Sequence, residues 1–321
     1  MISPLLSIII LSYNTREITL NCLDSILKDK GLDFNHQKNS LTPAEIIIID
    51  NNSTDGSSQA IKNYFQKKGI SNYQLITNRQ NFGFGKANNQ GLKIAQGNYI
   101  LFLNSDTLIL HSAISQALDW LSSHPEVGTC TAQLLNSDKT IQPSGGYFPN
   151  LANVFTWCTG LDDLPFVNQI IRPLHPHPPD FYTHDKFYLK DHPQDWVTGA
   201  FMLTRKSILD KVGGFDENYF MYGEELELSY RLKKEFPQYL TWYLVGPQII
   251  HLGGASAVSK IDPILNEYRG IISFFKKHRL PWQLSVVKFL LKSNAYLRSI
   301  IYKIIGRSQT ANLYLKACSK I

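Results

Sequence analysis

An apolar run of strand length, Tyr99 to Leu103, stops abruptly at Asn104-Ser105-Asp106. Residues two apart on an extended chain face the same side, so Asn104 and Asp106 can offer oxygen ligands to one cation. Open α/β sheets place their ligands at the carboxyl ends of such buried strands. The same residues also suit a strand followed by an Asx turn, and this stretch alone leaves both readings open. Two further apolar runs end in polar groups, Leu5 to Ser12 in Tyr13-Asn14 and Glu45 to Ile49 in Asp50. Much later comes FDENYFMYGEELELSYRLKKEF, Phe215 to Phe236. Steps of about 100° place Leu228, Leu232 and Phe236 on one arc with Glu225 at its centre. A carboxylate on the apolar face of a helix is costly unless it has a task, which singles out Glu225. Glu224, Glu227, Arg231 and Glu235 fall on the charged side, where a solvated face is expected and Glu227 can pair with Arg231. A final strand-like run, Leu240 to Ile250, ends in His251 beside LGGAS. That histidine reads either as a surface residue or as a nitrogen ligand swung toward the carboxylate site.

The elements that must position these groups alternate strictly over the first ~125 residues. Helix patterns carry Ile18, Leu23, Ile26 and Leu27, then Ala60, Ile61, Tyr64 and Phe65, and later Ile114, Ala117, Leu118 and Leu121. Between them lie the strands Leu5–Ser12, Glu45–Asp50, Tyr73–Thr77 and Tyr99–Leu103, and NRQNFGFGKANNQG opens a further helix. Such alternation predicts a parallel sheet with right-handed crossovers, clustering the three polar strand ends along one edge. The polar segment Gly31 to Pro43 reads as a surface insertion. The second half is less regular. Val127–Leu135, Asp195–Thr204 and Leu240–Ile250 read as strands, and SILDKVGGF as a short helix closed by Gly213. Gly145 to His192 is rich in Pro, aromatics and His and reads as a mobile acceptor-side loop. Its histidines repeat no ligand spacing, so a metal site there is not expected.

The chain has 321 residues, 43% hydrophobic and 18% charged, which describes a folded protein with ample core. Cys22, Cys130, Cys158 and Cys318 show no paired spacing, which favours a reducing compartment over disulfides or a zinc site. The apolar start MISPLLSIIILSYN has no basic leader or cleavage site and reads as a first strand. The net charge of +6 conceals an asymmetry: eleven of the 32 Lys and Arg, and no acid, lie between Tyr268 and Ile321. The body before that tail is mildly acidic.

Seven motifs occur in order: IIILSYN, IIIIDNNSTDGS, NFGFGKANNQG, FLNSD, DWVTGAFML, GGFDENYFMYGEELELSYR and HLGGAS. From about Leu6 to His278 the chain resembles the inverting nucleotide-sugar glycosyltransferases of family two, and within them the rhamnosyltransferase-like branch. The resemblance implies the GT-A fold, a Rossmann-like, mostly parallel α/β sheet flanked by helices. It implies that Tyr13, Asn14 and Asp50 hold the base and ribose, with Asn81, Gly83 and Lys86 near the donor phosphates and sugar. The family's metal-binding pair of acids reads Asn104-Ser105-Asp106 here, which leaves Asp106 as the acidic ligand and Asn104 as a weaker contact. His251 matches a further ligand to a divalent cation, Mg²⁺ or Mn²⁺. Glu225 falls where relatives carry the catalytic base, with glutamate replacing the usual aspartate. By the same resemblance, one sugar passes from a dTDP- or UDP-sugar to a glycan or lipid-linked acceptor in cell-envelope polysaccharide synthesis. No QxxRW-like segment of processive synthases follows Glu225. A non-catalytic nucleotide-sugar-binding module of the same fold is the alternative.

The expected division is a catalytic domain over 1–267 and a basic amphipathic helical tail over 268–321. Lys288, Lys292, Arg298 and Lys303 interrupt the tail before it reaches the ~20 apolar residues of a membrane span. A segment lying on an anionic membrane surface, at the inner face of the cytoplasmic membrane, is the expected arrangement. A helical subdomain packed on the body or on a second subunit is the other reading. Nucleic acid is not an expected partner, because the body is net acidic and carries no recognition motif.

Overall fold

Runs of Ile, Leu and Phe without a polar break can be strands only where both faces are covered, and the structure covers them. It is a computed structural model and describes residues 4–35, 37, 40–164, 166–179, 186–254 and 263–321. The first half comprises β1 (Leu6–Ser12), α1 (Arg16–Ile26), β2 (Leu32–Asp33), β3 (Thr42–Asp50), α2 (Ser57–Lys68), β4 (Tyr73–Thr77), α3 (Phe84–Ile94) and β5 (Tyr99–Asn104). Next come β6 (Thr107–Ile109), α4 (Ala113–Ser123), β7 (Val127–Leu135), β8 (Ile141–Gln142), α5 (Leu151–Thr159) and α6 (Val167–Ile170). The remainder is β9 (His192–Gln194), β10 (Phe201–Arg205), α7 (Lys206–Val212), α8 (Glu224–Glu235), β11 (Leu240–His251), α9 (Pro263–His278), α10 (Pro281–Ile304) and α11 (Ser308–Lys320).

The sheet runs β2-β3-β1-β5-β10-β7-β11-β6, with β4 also on β3. Around β1 the pairing is parallel, as the alternation predicts, while β10 enters antiparallel to both β5 and β7. Side chains of β1 alternate between two cores. Leu6, Ile8 and Ile10 join Leu23 and Ile26 of α1 and Leu118 and Leu121 of α4, whereas Ile9 joins Ala87 of α3 and Leu228 and Leu232 of α8. Each such fully buried side chain contributes about 1.5–3 kcal/mol, which pins the strand register.

The structure departs from expectation in three places. Gly31–Pro43 is not wholly a surface insertion: β2 pairs with β3, and Leu32 and Phe34 are buried against the first core; residues 36, 38 and 39 lie outside the described residues. Gly145–His192 is not one loop. Asn150 caps α5 reciprocally with Asn153, and Val154 and Cys158 of that helix enter a third core. The polar flanks disguised a short helix whose apolar face meets the tail; residues 165 and 180–185 of this stretch lie outside the described residues. The run Asp195–Thr204 becomes a strand only at Phe201, because the chain from Trp196 to Ala200 crosses the cleft described below.

The third core joins α5, Trp196 and Leu226 to α9, α10 and α11 through Leu265, Tyr268, Phe274, Phe275, Val287 and Leu291. The tail therefore packs on the body, and α9 runs continuously through the expected boundary at Tyr268.

Candidate active site

Tyr13, Asn81, Gly83, Asn104, Asp106, Glu225 and His251 line one cleft of about 470 Å³. Asn104 closes β5, and Ser105-Asp106 forms a turn into β6, so the turn and the cleft-facing carboxylate coexist. β6 was not foreseen, and it explains how His251 arrives. β11 pairs antiparallel with β6 so that His251 lies opposite Thr107, the neighbour of Asp106. His251 Nε2 then sits 3.3 Å from Asp106 Oδ1 and 3.2 Å from Asn104 Nδ2.

Gln142, which the sequence did not single out, holds this histidine. Its Nε2 donates to Asn136 Oδ1 at 2.9 Å and to the His251 carbonyl at 3.3 Å. Its Oε1 is thereby presented as the acceptor for His251 Nδ1–H at 2.6 Å. An imidazole that gives its Nδ1 proton to a second group presents the Nε2 lone pair to the cleft, the usual arrangement of a histidine ligand. Asp106 and that lone pair form a carboxylate and imidazole donor pair of the kind that suits a divalent cation such as Mn²⁺. Among the described residues, no group of three or more His, Cys, Asp or Glu side chains converges on one point.

The other donor-side candidates divide. Asn81 Oδ1 accepts from Asn51 Nδ2 at 2.7 Å and from Gly83 N–H at 2.9 Å. Asn51 Oδ1 accepts from Phe82 N–H, so the unforeseen Asn51, the residue after Asp50, organises this loop and itself lines the cleft. Gly83 stands at φ +80°, and a Cβ there would meet the Phe220 carbonyl at 2.2 Å, so glycine is required. Asn14, Asp50 and Lys86 lie off the cleft lining. Asn14 Oδ1 accepts from Thr54 N–H, tying two strand-end loops together. Asp50 is buried and accepts from Ser53 N–H and the Ser58 hydroxyl, so it shapes the loop that carries Asn51. Lys86 pairs with Glu217 at 3.7 Å over the Phe82 ring.

Across the cleft, α8 starts at Glu224, directly after Tyr222 and Gly223, both at positive φ. Such strain persists where surrounding packing over-determines it. Gly223 and Gly270 of α9 nearly touch: a Cβ on Gly223 would lie 3.0 Å from the Gly270 Cα. Glu225 Oε1 accepts from Gly199 N–H at 3.5 Å, and among the described residues its Oε2 is buried without a partner. Burial raises its pKa above the usual glutamate range. Glu224 is 2% exposed, and burial first, then the Glu225 charge, raise its pKa well above that range. The expected solvated face of α8 is thus corrected at two positions. Glu224 is buried at the cleft, and Glu227 is fully buried, paired with Arg231 at 2.7 Å and with Lys277 and His278 of α9. α9 covers what would otherwise be the polar side of α8.

The outer cleft is lined by Leu174, Trp196, Met221, Tyr222, Glu267 and Ile271. His175 pairs with Glu267 at 3.0 Å and His177 with Asp163 at 3.3 Å, so these histidines join carboxylates.

A sequence model described as Glycosyl transferase family 2 matches residues 7–213. The N-acetylglucosaminyl-diphospho-decaprenol L-rhamnosyltransferase of Mycobacterium tuberculosis is 25% identical over 293 residues, covering 85% of this chain and 88% of that protein. The rhamnosyltransferase WbbL of Escherichia coli (strain K12) is 27% identical over 160 residues, covering 47% and 54%. Among solved structures, the mannosyltransferase PcManGT from Pyrobaculum calidifontis, in complex with GDP-Man and Mn²⁺, gives a TM-score of 0.53 at 15% identity over 100% of this chain and 76% of that one. S. aureus TarS gives 0.50 at 16% identity over 92% and 43%. These likenesses show the GT-A fold, and the matched family spans most of the sheet that carries the cleft. The chain is a glycosyltransferase and belongs to glycosyl transferase family 2.

Proposed function

We propose that the protein transfers one sugar, rhamnose or a similar hexose, from a dTDP- or UDP-sugar to a hydroxyl of a glycan or lipid-linked acceptor with inversion at the anomeric carbon. The observation that carries this reading is the convergence on one cleft of Asp106 with His251 and of a separately delivered, half-buried Glu225. The named activity of the mycobacterial relative supports rhamnosyl transfer to a lipid diphosphate acceptor, and such an acceptor would place the work at the inner face of the cytoplasmic membrane, in cell-envelope polysaccharide synthesis.

Asp106 and His251 would hold Mg²⁺ or Mn²⁺ together with the donor diphosphate, and the bound cation would neutralise charge growing on the leaving group. Tyr13, Asn51 and the Asn81–Gly83 loop border the donor end. The acceptor oxygen enters between Trp196, Tyr222 and Ile271. Glu225 takes its proton as the oxygen attacks the anomeric carbon and the bond from that carbon to the donor diphosphate breaks. A carboxylate whose pKa is raised is a stronger base at neutral pH than an exposed one. One displacement with one base needs no covalent sugar–enzyme intermediate.

The test is a transfer assay with dTDP- and UDP-sugars, Mg²⁺ or Mn²⁺, and the product's anomeric configuration read by NMR. Inverted product, abolished by EDTA and by Asp106→Ala, is expected. Retained configuration, or undiminished transfer by Asp106→Ala in EDTA, would overturn the reading.

A further inference from the structure

α10 has two apolar faces, and its own fold uses only one. Val287, Leu291 and Ala295 are fully buried in the third core. On the opposite side of the same helix, Trp282 is 57%, Phe289 71%, Leu297 56% and Ile304 78% exposed, with Val286 and Ile300 completing the stripe. At 100° per residue these six fall within one arc centred about 180° from the buried one. Lys288, Lys292 and Lys303, all exposed, lie along one flank of the stripe. Ser293 alone interrupts the stripe, and monomers rarely expose an apolar stripe of this length without a partner for it.

We infer that the outer stripe of α10 lies in the plane of an anionic lipid bilayer, its lysine flank on the headgroups, and thereby holds the acceptor wall of the cleft at the membrane. Charge decides between occupants. A second copy meeting this face across a twofold axis would bring the same lysines together, and no acid between Tyr268 and Ile321 could answer them. Anionic headgroups answer them directly. The helix spans 24 residues, about 36 Å, and among the described residues no helix is long and apolar enough to cross a membrane, so it lies on the surface. The connection to the cleft is short. α9 ends at His278 and α10 begins at Pro281, while Glu267, Gly270 and Ile271 of α9 line the cleft. Resting on the transferase reading above, this orientation presents the cleft to an acceptor whose lipid portion stays in the bilayer.

Flotation of the full chain with phosphatidylglycerol–phosphatidylcholine vesicles tests this. The parent should float with the anionic vesicles, less as salt is raised, and weakly with phosphatidylcholine alone. Combined Trp282→Ser, Phe289→Ser and Ile304→Ser should abolish flotation. Lys288→Gln, Lys292→Gln and Lys303→Gln together should weaken it about 100-fold. Both sets face solvent, so melting temperature and transfer to a water-soluble acceptor should stay parental. A parent that does not float, or a serine variant that floats equally, would overturn the inference. So would a parental dimer in sedimentation that the serine variant dissolves. A parent that floats yet transfers nothing would sink the transferase reading and leave the membrane face standing.

Discussion

The two walls of the cleft are built in opposite ways. The proposed donor wall consists of strand ends and the turns after them, where Asn51, Asn81, Gly83, Asn104 and Asp106 are held by hydrogen bonds between neighbouring strand-end loops. The proposed acceptor wall consists of helix faces and a crossing loop, where Trp196 and Ile271 are held by a core drawn from seven separate segments and Tyr222 stands beside them. A nucleotide diphosphate asks for fixed polar groups, which tight turns supply. A sugar or lipid-linked acceptor asks for shaped apolar surface, which packed helices supply. Glu225 stands at the seam, carried by α8 from the donor-side core but enclosed by α9.

That contrast can be broken one wall at a time. The largest effect is expected at the seam. Glu225→Gln should lower kcat by ~10²–10⁴-fold with donor binding kept, as calorimetry with the nucleotide sugar would show. Because burial raises this pKa, the parental rate should fall, as pH drops, at a pH above the usual glutamate range, and a pH–rate profile with an unshifted acid limb would contradict the assignment. Next, Phe274→Ala empties a fully buried site in the acceptor-side core and should cost about 3–5 kcal/mol in urea unfolding. A donor wall that lost its nucleotide response to the same degree in the folded variant would show the two walls to be one unit.

Gln142→Leu is the donor-wall counterpart. Losing the group that accepts from His251 Nδ1–H should weaken Mn²⁺ affinity ~10–100-fold by titration calorimetry, with Gln142→Glu restoring much of it. Equal Mn²⁺ affinity in parent and Gln142→Leu would remove Gln142 from the site. The smallest effect belongs to Glu224. Its raised pKa keeps it protonated in the fold where the unfolded chain has released the proton, so it costs stability as pH rises from the ordinary glutamate range toward its folded pKa. Glu224→Gln should therefore melt higher than the parent, with the gap widening as pH rises above the ordinary glutamate range. A gap that stayed constant would mean that Glu224 does not titrate differently in the folded chain.

Legibility followed the same division. Buried parallel strands announce themselves as unbroken Ile and Leu runs, and the strand ends at Asn104 and Asp50 were visible for that reason. Asn14, Asp50 and Lys86 were associated with the donor through motif likeness, and in the fold their side chains brace loops, Lys86 reaching Glu217 in the turn before α8. Motif likeness marks the loop, and the hydrogen bonds that shape it come only with the fold. The helical-arc reasoning that isolated Glu225 went astray at Glu224 and Glu227, because a wheel knows one helix and not the α9 that covers it.

What the amino-acid order determined by itself was therefore local: strand and helix alternation, the polar strand ends, the basic tail and the position of Glu225. Only the tertiary structure decided which distant groups meet. The β6–β11 register brings His251 to Asp106 across 145 positions of sequence, and the close approach of Gly223 and Gly270 makes the tail a wall of the cleft. The reason is physical. Periodicity reports what one element needs to bury, whereas the partner that buries it is chosen by packing among all of them.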